Sequence, residues 1–274
     1  MRIEDDKLVH DDGTPVPFRP SPNVGGALDP RYLVMHFTAG RSAEESINWL
    51  VNPDARASAH VVIGRDGGVT QLVPFDRVAW HAGRSQWRGL SGLNAHSIGI
   101  ELDNAGRLRD QGDKWCAWFG RPYDDDVVMV ASHPHENDVC GWHTYPEVQL
   151  EAALEVARAV VRHYQLEDII GHEDIAPGRK VDPGPAFPMG SFKARIMGRD
   201  ADAPLRYRTT AALNIRTGPG SQHERLPGSP LARGTVVEPV RTQGTWWLVD
   251  VVDEDADEGD LQGWVHSRWL ESQG

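Results

Sequence analysis

Apolar side chains along this chain follow two rhythms, one of strands and one of helices. Tyr32 to Thr38 (YLVMHFT) is a near-continuous apolar run, interrupted by His36 and closed by Ala39-Gly40, and it predicts a strand buried on both faces. Ser97 to Leu102 (SIGIEL) predicts another, with Glu101 set in apolar company. Ala59 to Ile63 and Val69 to Val73 flank the turn cluster Gly64 to Gly68 and predict a hairpin. Asp168 to Gly171 predicts a short strand that delivers His172 into a Pro/Gly-rich loop. Helical spacing appears twice. Ser42 and Glu45 form a capping box for a helix through Asn48 and Trp49 that Asn52-Pro53 stops. Thr144 and Glu147 form a second box, with Pro146 in the first turn, ahead of the most periodic segment, Tyr145 to Leu166. Val148, Ala152, Leu154 or Val156, Ala159 and Tyr164 predict the face that packs on the sheet. Between Asn104 and His143 the sequence reads as a long loop suited to walling a cleft.

The character changes after about Arg199. Residues 200–204 read as a linker, and the remainder shows short β-rich runs with turn signals and no helical period: Leu205 to Thr209, Leu213 to Arg216, Thr235 to Arg241, Trp246 to Val252 and Gly263 to Val265. Asp253 to Asp260 predicts a solvated acidic loop between two of them. The expectation is an α/β domain over residues 1–199 followed by a small all-β domain over 205–274.

Composition narrows the partners. With 28 Lys+Arg against 40 Asp+Glu, the formal charge of -12 opposes the phosphate neutralisation on which nucleic-acid affinity rests. No apolar run approaches the ~20 residues that cross a bilayer, so no membrane span is expected. Met1 to Gly13 carries acids where an export leader would be basic and then apolar. Synthesis in the cytoplasm is therefore expected, with any delivery elsewhere by a route outside the usual export pathway. Cys116 and Cys140 are too few for a disulfide scaffold, although they could pair in an oxidising compartment. Ten Trp against six Phe and five Tyr suit sugar faces and exposed grooves as well as cores.

Candidate chemistry lies in polar residues placed where only a site justifies them. His36 and Glu101 sit in buried strands, and His172, Lys180 and Asp182 cluster in the loop Gly171 to Gly184 (GHEDIAPGRKVDPG). Singly, His36 reads as a core histidine, Asp182 as a turn residue before proline and Lys180 as a solvated loop charge. Together, two histidines and one carboxylate form the ligand set of a catalytic zinc that keeps one position for water. Glu101, in an apolar strand, suits a general base, and Lys180 an oxyanion partner, which implies amide hydrolysis.

His36 in LVMHFTAG, Ala79 to Gly83 (AWHAG), Asn94 with Ser97 to Glu101, and GHEDIAPGRKVDPG together resemble the zinc-dependent N-acetylmuramoyl-L-alanine amidases of the type-2 amidase, or peptidoglycan-recognition, superfamily. The resemblance covers about Arg31 to Met197. It implies an α/β fold with a mixed central sheet and packed helices, and cleavage of the amide between N-acetylmuramic acid and L-alanine. His36, His172 and Asp182 match its zinc ligands, Glu101 its water-activating residue and Lys180 its transition-state stabiliser. Trp80, His81 and Asn94 fall on the side expected to meet peptidoglycan or a muropeptide, and His81 fits a supporting role behind a ligand equally well. Residues 205–270 resemble a bacterial SH3-like barrel through ALNIRTGPG, Trp246-Trp247 and Gly263 to His266, which implies binding to cell wall and an endolysin-like arrangement. Two other readings stand beside this one. Part of the superfamily binds peptidoglycan without cleaving it, and Cys140 three residues before His143 admits a cysteine-dependent stem-peptide hydrolase.

Overall fold

The computed structural model describes residues 1–136, 138–197, 206–252 and 261–272. Contacts divide the chain into two units, Met1–Gly106 with Tyr145–Asp200, and Arg107–Thr144 with Ala201–Gly274. The excursion after Gly106 thus groups with the C-terminal strands and not with the sheet it leaves. The expected linker at 200–204 and acidic loop at 253–260 lie outside the described residues.

In the first unit β1 (Tyr32–Phe37), β2 (Val61–Ile63), β3 (Val69–Gln71), β4 (Ser97–Leu102) and β5 (Asp168–Gly171) form a mixed sheet in the order β5-β1-β4-β2-β3. Strands β5, β1, β4 and β2 run parallel, and β3 returns antiparallel from β2 through the expected hairpin. Parallel strands are covered on both faces, which is why β1 and β4 read as unbroken apolar runs. On one face Leu33, Met35, Ile98, Ile100, Leu102 and Ile169 pack beneath α2 (Glu147–Tyr164) and Phe192 of α3 (Met189–Met197). Each such side chain contributes about 1.5–3 kcal/mol on burial, so this layer is the main adhesive of the unit. The opposite face buries Tyr32, Val34 and Ile170 against Leu93 and Ile175, and Val62 against Ile47 and Leu50 of α1 (Ala43–Leu50). Strand alternation places His36 and Glu101 on that second face, directly opposite each other in register.

The two helix starts differ. Ser42 caps α1 as expected, its hydroxyl accepting from the Glu45 N–H at 3.2 Å. At α2 the cap position is Pro146, without a side-chain cap, and the Thr144 hydroxyl donates instead to the Val127 carbonyl at 3.1 Å. The buried face of α2 is Gln149, Ala153, Leu154, Val156, Ala157 and Val160, while Val148 is exposed. A polar residue hid this phase. The Gln149 amide donates to the carbonyls of Ile63 and Asp103, both at 3.0 Å, and so satisfies acceptors at the last residue of β2 and just past the end of β4.

The expected loop from Asn104 to His143 is mostly sheet. Pro122–Tyr123, Trp115–Cys116, Arg107–Asp110, Val139–His143 and Val128–Ser132 pair in that order as five antiparallel strands. Runs of two to five residues are too short for alternation to emerge from sequence. Both cysteines are free, and the strand Arg107–Asp110 lies between theirs. Two inter-strand steps of about 4.8 Å exceed the ~7 Å reach of a disulfide, so Cys116 and Cys140 do not pair in this fold.

The C-terminal strands also form a five-stranded antiparallel sheet, in the order Gln262–His266, Trp246–Val252, Val236–Gln243, Tyr207–Thr209, Leu270–Ser272. Of the paired tryptophans, Trp247 is core, edge-on to Tyr207 at 4.9 Å between ring centres, while Trp246 is half-buried beside His266. The excursion rests on this sheet. Ser267 donates its hydroxyl to the Val130 carbonyl at 3.1 Å, and a side chain at Gly244 (φ +58°) would come within 2.6 Å of the Asp125 carbonyl oxygen.

Ending the chain after Met197 removes the surface on which Val128–Ser132 rests. Hydrogen exchange on such a chain is expected to show protection lost across Val128–His143 and kept across β1 and β4. Unchanged protection in the excursion would contradict the grouping.

Candidate metal centre

Register builds the site. Gly171 lies opposite Met35 and His36 opposite Glu101, so His172, next after Gly171, arrives beside His36. The row His172, His36, Glu101 crosses the carboxyl ends of three parallel strands, where open α/β sheets leave a crevice. Asp182 returns to it through a braced loop: the Glu173 N–H donates to the Asp182 carbonyl at 2.9 Å and the Gly184 N–H to the Glu173 carboxylate at 3.0 Å. The Tyr145 hydroxyl donates to the Pro183 carbonyl at 2.8 Å.

Three ligand atoms converge. His36 Nδ1 lies 2.8 Å and His172 Nδ1 2.9 Å from Asp182 Oδ2, and the two nitrogens are 2.9 Å apart, all buried. Protons on these rings are assigned from their outer partners. His81 Nε2 faces the Ser97 carbonyl at 3.2 Å, which can only accept, so that nitrogen carries the proton. Burial, with the nearby His36 and His60, holds the His81 pKa well below its ordinary value, so its Nδ1 is a lone pair. That lone pair receives the N–H of His36 Nε2 at 2.9 Å. Burial, and His172 beside it, push His36 down to about 4, so the ring is neutral and its Nδ1 is also a lone pair. His172 Nε2 faces the Ala82 carbonyl at 3.1 Å, which can only accept, so the proton of its tautomer sits on Nε2 and Nδ1 turns inward. Two imidazole lone pairs and a carboxylate oxygen thus meet with no proton between them. Buried acceptors left facing one another are costly, and a cation at their centre resolves the conflict. The donor set, two nitrogens and one carboxylate, fits a divalent transition metal.

Glu101 flanks this centre. Its Oε2 is buried and has no hydrogen-bond partner among the described residues, and burial, then Asp182, push its pKa up to about 8 against the opposing charge of Lys180. Lys180 is half-buried, and its ammonium acts electrostatically on both Glu101 and His36. A carboxyl group and an ammonium group that interact with each other thus accompany the three converging atoms.

The residues placed on the substrate side divide. Trp80 is 36% exposed. His81 lies behind His36, 9% exposed and bonded at both ring nitrogens. Asn94 turns its amide oxygen to the backbone N–H groups of His81 and Ala82, at 3.0 and 2.6 Å. Arg179, not singled out from sequence, joins His172 on the Ala82 carbonyl at 3.0 Å and also donates to the Arg84 carbonyl at 2.7 Å. Its place beside Lys180, inside Gly178-Arg179-Lys180, was no signal of that role. Cys140 and His143 share a strand three residues apart and so point to opposite faces, and burial raises the Cys140 thiol pKa, the reverse of an activated nucleophile. Among the described residues, His36, His172 and Asp182 are the one group that could hold a metal ion.

A family model described as N-acetylmuramoyl-L-alanine amidase matches residues 26–185. The chain belongs to this family. It is 33% identical over 182 residues to N-acetylmuramoyl-L-alanine amidase AmiD of Escherichia coli (strain K12), covering 63% of this chain and 55% of that protein. It is 35% identical over 143 residues to 1,6-anhydro-N-acetylmuramyl-L-alanine amidase AmpD of the same strain, covering 52% of this chain and 59% of that protein. The match thus spans little more than half the length of either relative. A crystal structure of a selenomethionine AmpD derivative aligns with a TM-score of 0.50 at 27% identity, over 72% of this chain and 99% of that one. That likeness bears out the mixed α/β fold.

His60 completes the second face of the sheet. Its Nδ1 accepts from the Gly99 N–H and its Nε2 donates to the Arg77 carbonyl, each at 3.0 Å, and burial lowers its pKa from 6.5 to about 4. Below pH 6.5 the unfolded chain takes up a proton that the folded ring refuses. This contribution to stability is whole above pH 6.5, declines as pH falls, and is gone near pH 4, a span of ~3 kcal/mol. In urea unfolding, the advantage of the wild type over His60→Asn is expected to shrink by about 2–3 kcal/mol between pH 7.5 and 4.5. A gap constant with pH would show that His60 is not held neutral.

Proposed function

We propose that this amidase-family chain hydrolyses the amide between the lactyl group of N-acetylmuramic acid and L-alanine, in peptidoglycan or in muropeptides released from it. The observation that carries this reading is the convergence of His36 Nδ1, His172 Nδ1 and Asp182 Oδ2 near Glu101, whose buried Oε2 has no hydrogen-bond partner among the described residues. Zinc is the usual metal of this family and suits a site of two imidazoles and one carboxylate. Bound there, zinc would supply Lewis acidity toward the amide carbonyl and toward water.

The chain's own residues do the rest. Glu101 accepts the proton of the attacking water and passes it to the leaving nitrogen of L-alanine, a task suited to a carboxyl that burial makes more basic than usual. Lys180 faces the same crevice and balances the negative charge that develops on the carbonyl oxygen. The stem peptide leaves with a free L-alanine amine and the muramic acid with a free lactyl carboxylate. The lack of an alternative nucleophile at Cys140 supports this over cysteine-dependent cleavage, and the presence of both Glu101 and Lys180 supports hydrolysis over recognition alone. In this reading the C-terminal sheet is an SH3-like module that holds cell wall, with the half-buried Trp246 as a candidate contact.

Mass spectrometry of digested sacculi is expected to find intact stem peptides with a free L-alanine amine. Glu101→Gln and Lys180→Ala should each lower kcat by on the order of 10²-fold while the metal stays bound, because neither removes a ligand. Cleavage at another bond, or near-normal turnover in both variants, would overturn the proposal.

A further inference from the structure

Both imidazole ligands lean on one dipeptide. The outer N–H of His36 is received by the His81 ring at 2.9 Å, and that of His172 by the Ala82 carbonyl at 3.1 Å. The dipeptide is itself fixed from behind by Asn94, whose amide oxygen takes both of its backbone N–H groups. His81 is pinned in turn by the Ser97 carbonyl, and Ser97 by its hydroxyl's bond to the Leu93 carbonyl at 2.5 Å. Gly99, paired with Val34 in the strand next to His36, makes room for the ring: a Cβ there would stand 2.5 Å from His81 Cγ and Nδ1.

We infer that His81 is a positioning residue for the metal, the group that commits His36 to the tautomer with its Nδ1 lone pair turned inward. An acceptor must face His36 Nε2, because without one the buried ring can turn its proton toward Asp182, which lies 2.8 Å from Nδ1 and is ready to receive it. A proton held there excludes the metal. Outer partners that orient a ligating histidine and raise its basicity typically change metal affinity by about 10–100-fold when removed. Ala82 does the same for His172 through its main chain, so no substitution can delete that acceptor. His81 carries the part of this support that a side chain supplies. This role is distinct from contact with substrate, from which His81 is shielded by its burial behind His36.

The inference rests on the metal reading above, and the test separates the two. Asn and Leu branch alike at Cγ and leave the same space behind, but Asn Oδ1 occupies the place of the histidine Nδ1 and accepts a hydrogen bond, whereas Leu cannot. Zinc affinity of wild type, His81→Leu and His81→Asn is measured on the full chain by competition with a chromophoric chelator, and cobalt absorption reports the geometry of each loaded site. The expected result is a loss of about 10–100-fold in His81→Leu and recovery to within about fivefold of wild type in His81→Asn. Equal affinity in wild type and His81→Leu, or equal loss in both variants, would overturn the role of His81. A wild type that takes up neither metal would overturn the metal reading itself. Should His81→Leu fail to fold, Gly99→Ala displaces the same ring and is expected to weaken zinc binding without removing any hydrogen-bonding side chain.

Discussion

The centre of this protein is a set of acceptors with no donor among them. His36, His172 and Asp182 are brought within 2.9 Å of one another, and every proton that might relieve the contact is committed elsewhere, to Ser97 through His81 and to the Ala82 carbonyl. Unmatched buried acceptors cost about 1–3 kcal/mol each, and a charged carboxylate costs more. Such a cluster could hold a cation, and much of the first unit serves to hold the three atoms in place.

That service begins with strand register. Parallel pairing of β5, β1 and β4 sets His172, His36 and Glu101 in one row, and the α2 layer on the opposite face keeps the strands from slipping by one residue, which would invert every side chain. Gly99 has a similar part, since its missing side chain is the space that His81 fills. The loop to Asp182 is braced at Glu173 and Tyr145, which holds the carboxylate against the two imidazoles.

Much of this was legible in the sequence because polar residues stood where burial forbids them without a reason. His36 and Glu101 interrupt apolar strands, and His172, Lys180 and Asp182 crowd one short loop, and the fold brings His36, His172 and Asp182 together. What escaped notice was of another kind. Gln149 looked like a surface residue yet caps two carbonyls inside the core, which displaced the expected face of α2. The excursion hid its strands by their shortness, and Thr144 spent its hydroxyl on Val127 and not on a helix. His81 could be read for substrate or for support, because spacing along a chain does not say which side of a ligand a ring will occupy. The contribution of Ala82 and Arg179 runs through a main-chain carbonyl, which no residue type announces.

The positions of the protons on these histidine rings are open to direct observation. Long-range ¹⁵N–¹H correlation spectra of the histidine rings, recorded at pH 7.5 before and after one equivalent of zinc, distinguish protonated, free and coordinated ring nitrogens. His36, His81 and His172 are all expected to carry their proton on Nε2, and zinc is expected to shift Nδ1 of His36 and His172 while Nδ1 of His81 remains a hydrogen-bond acceptor. A proton on Nδ1 of either ligand in the zinc-loaded protein, or zinc-dependent shifts at Nε2, would contradict this assignment.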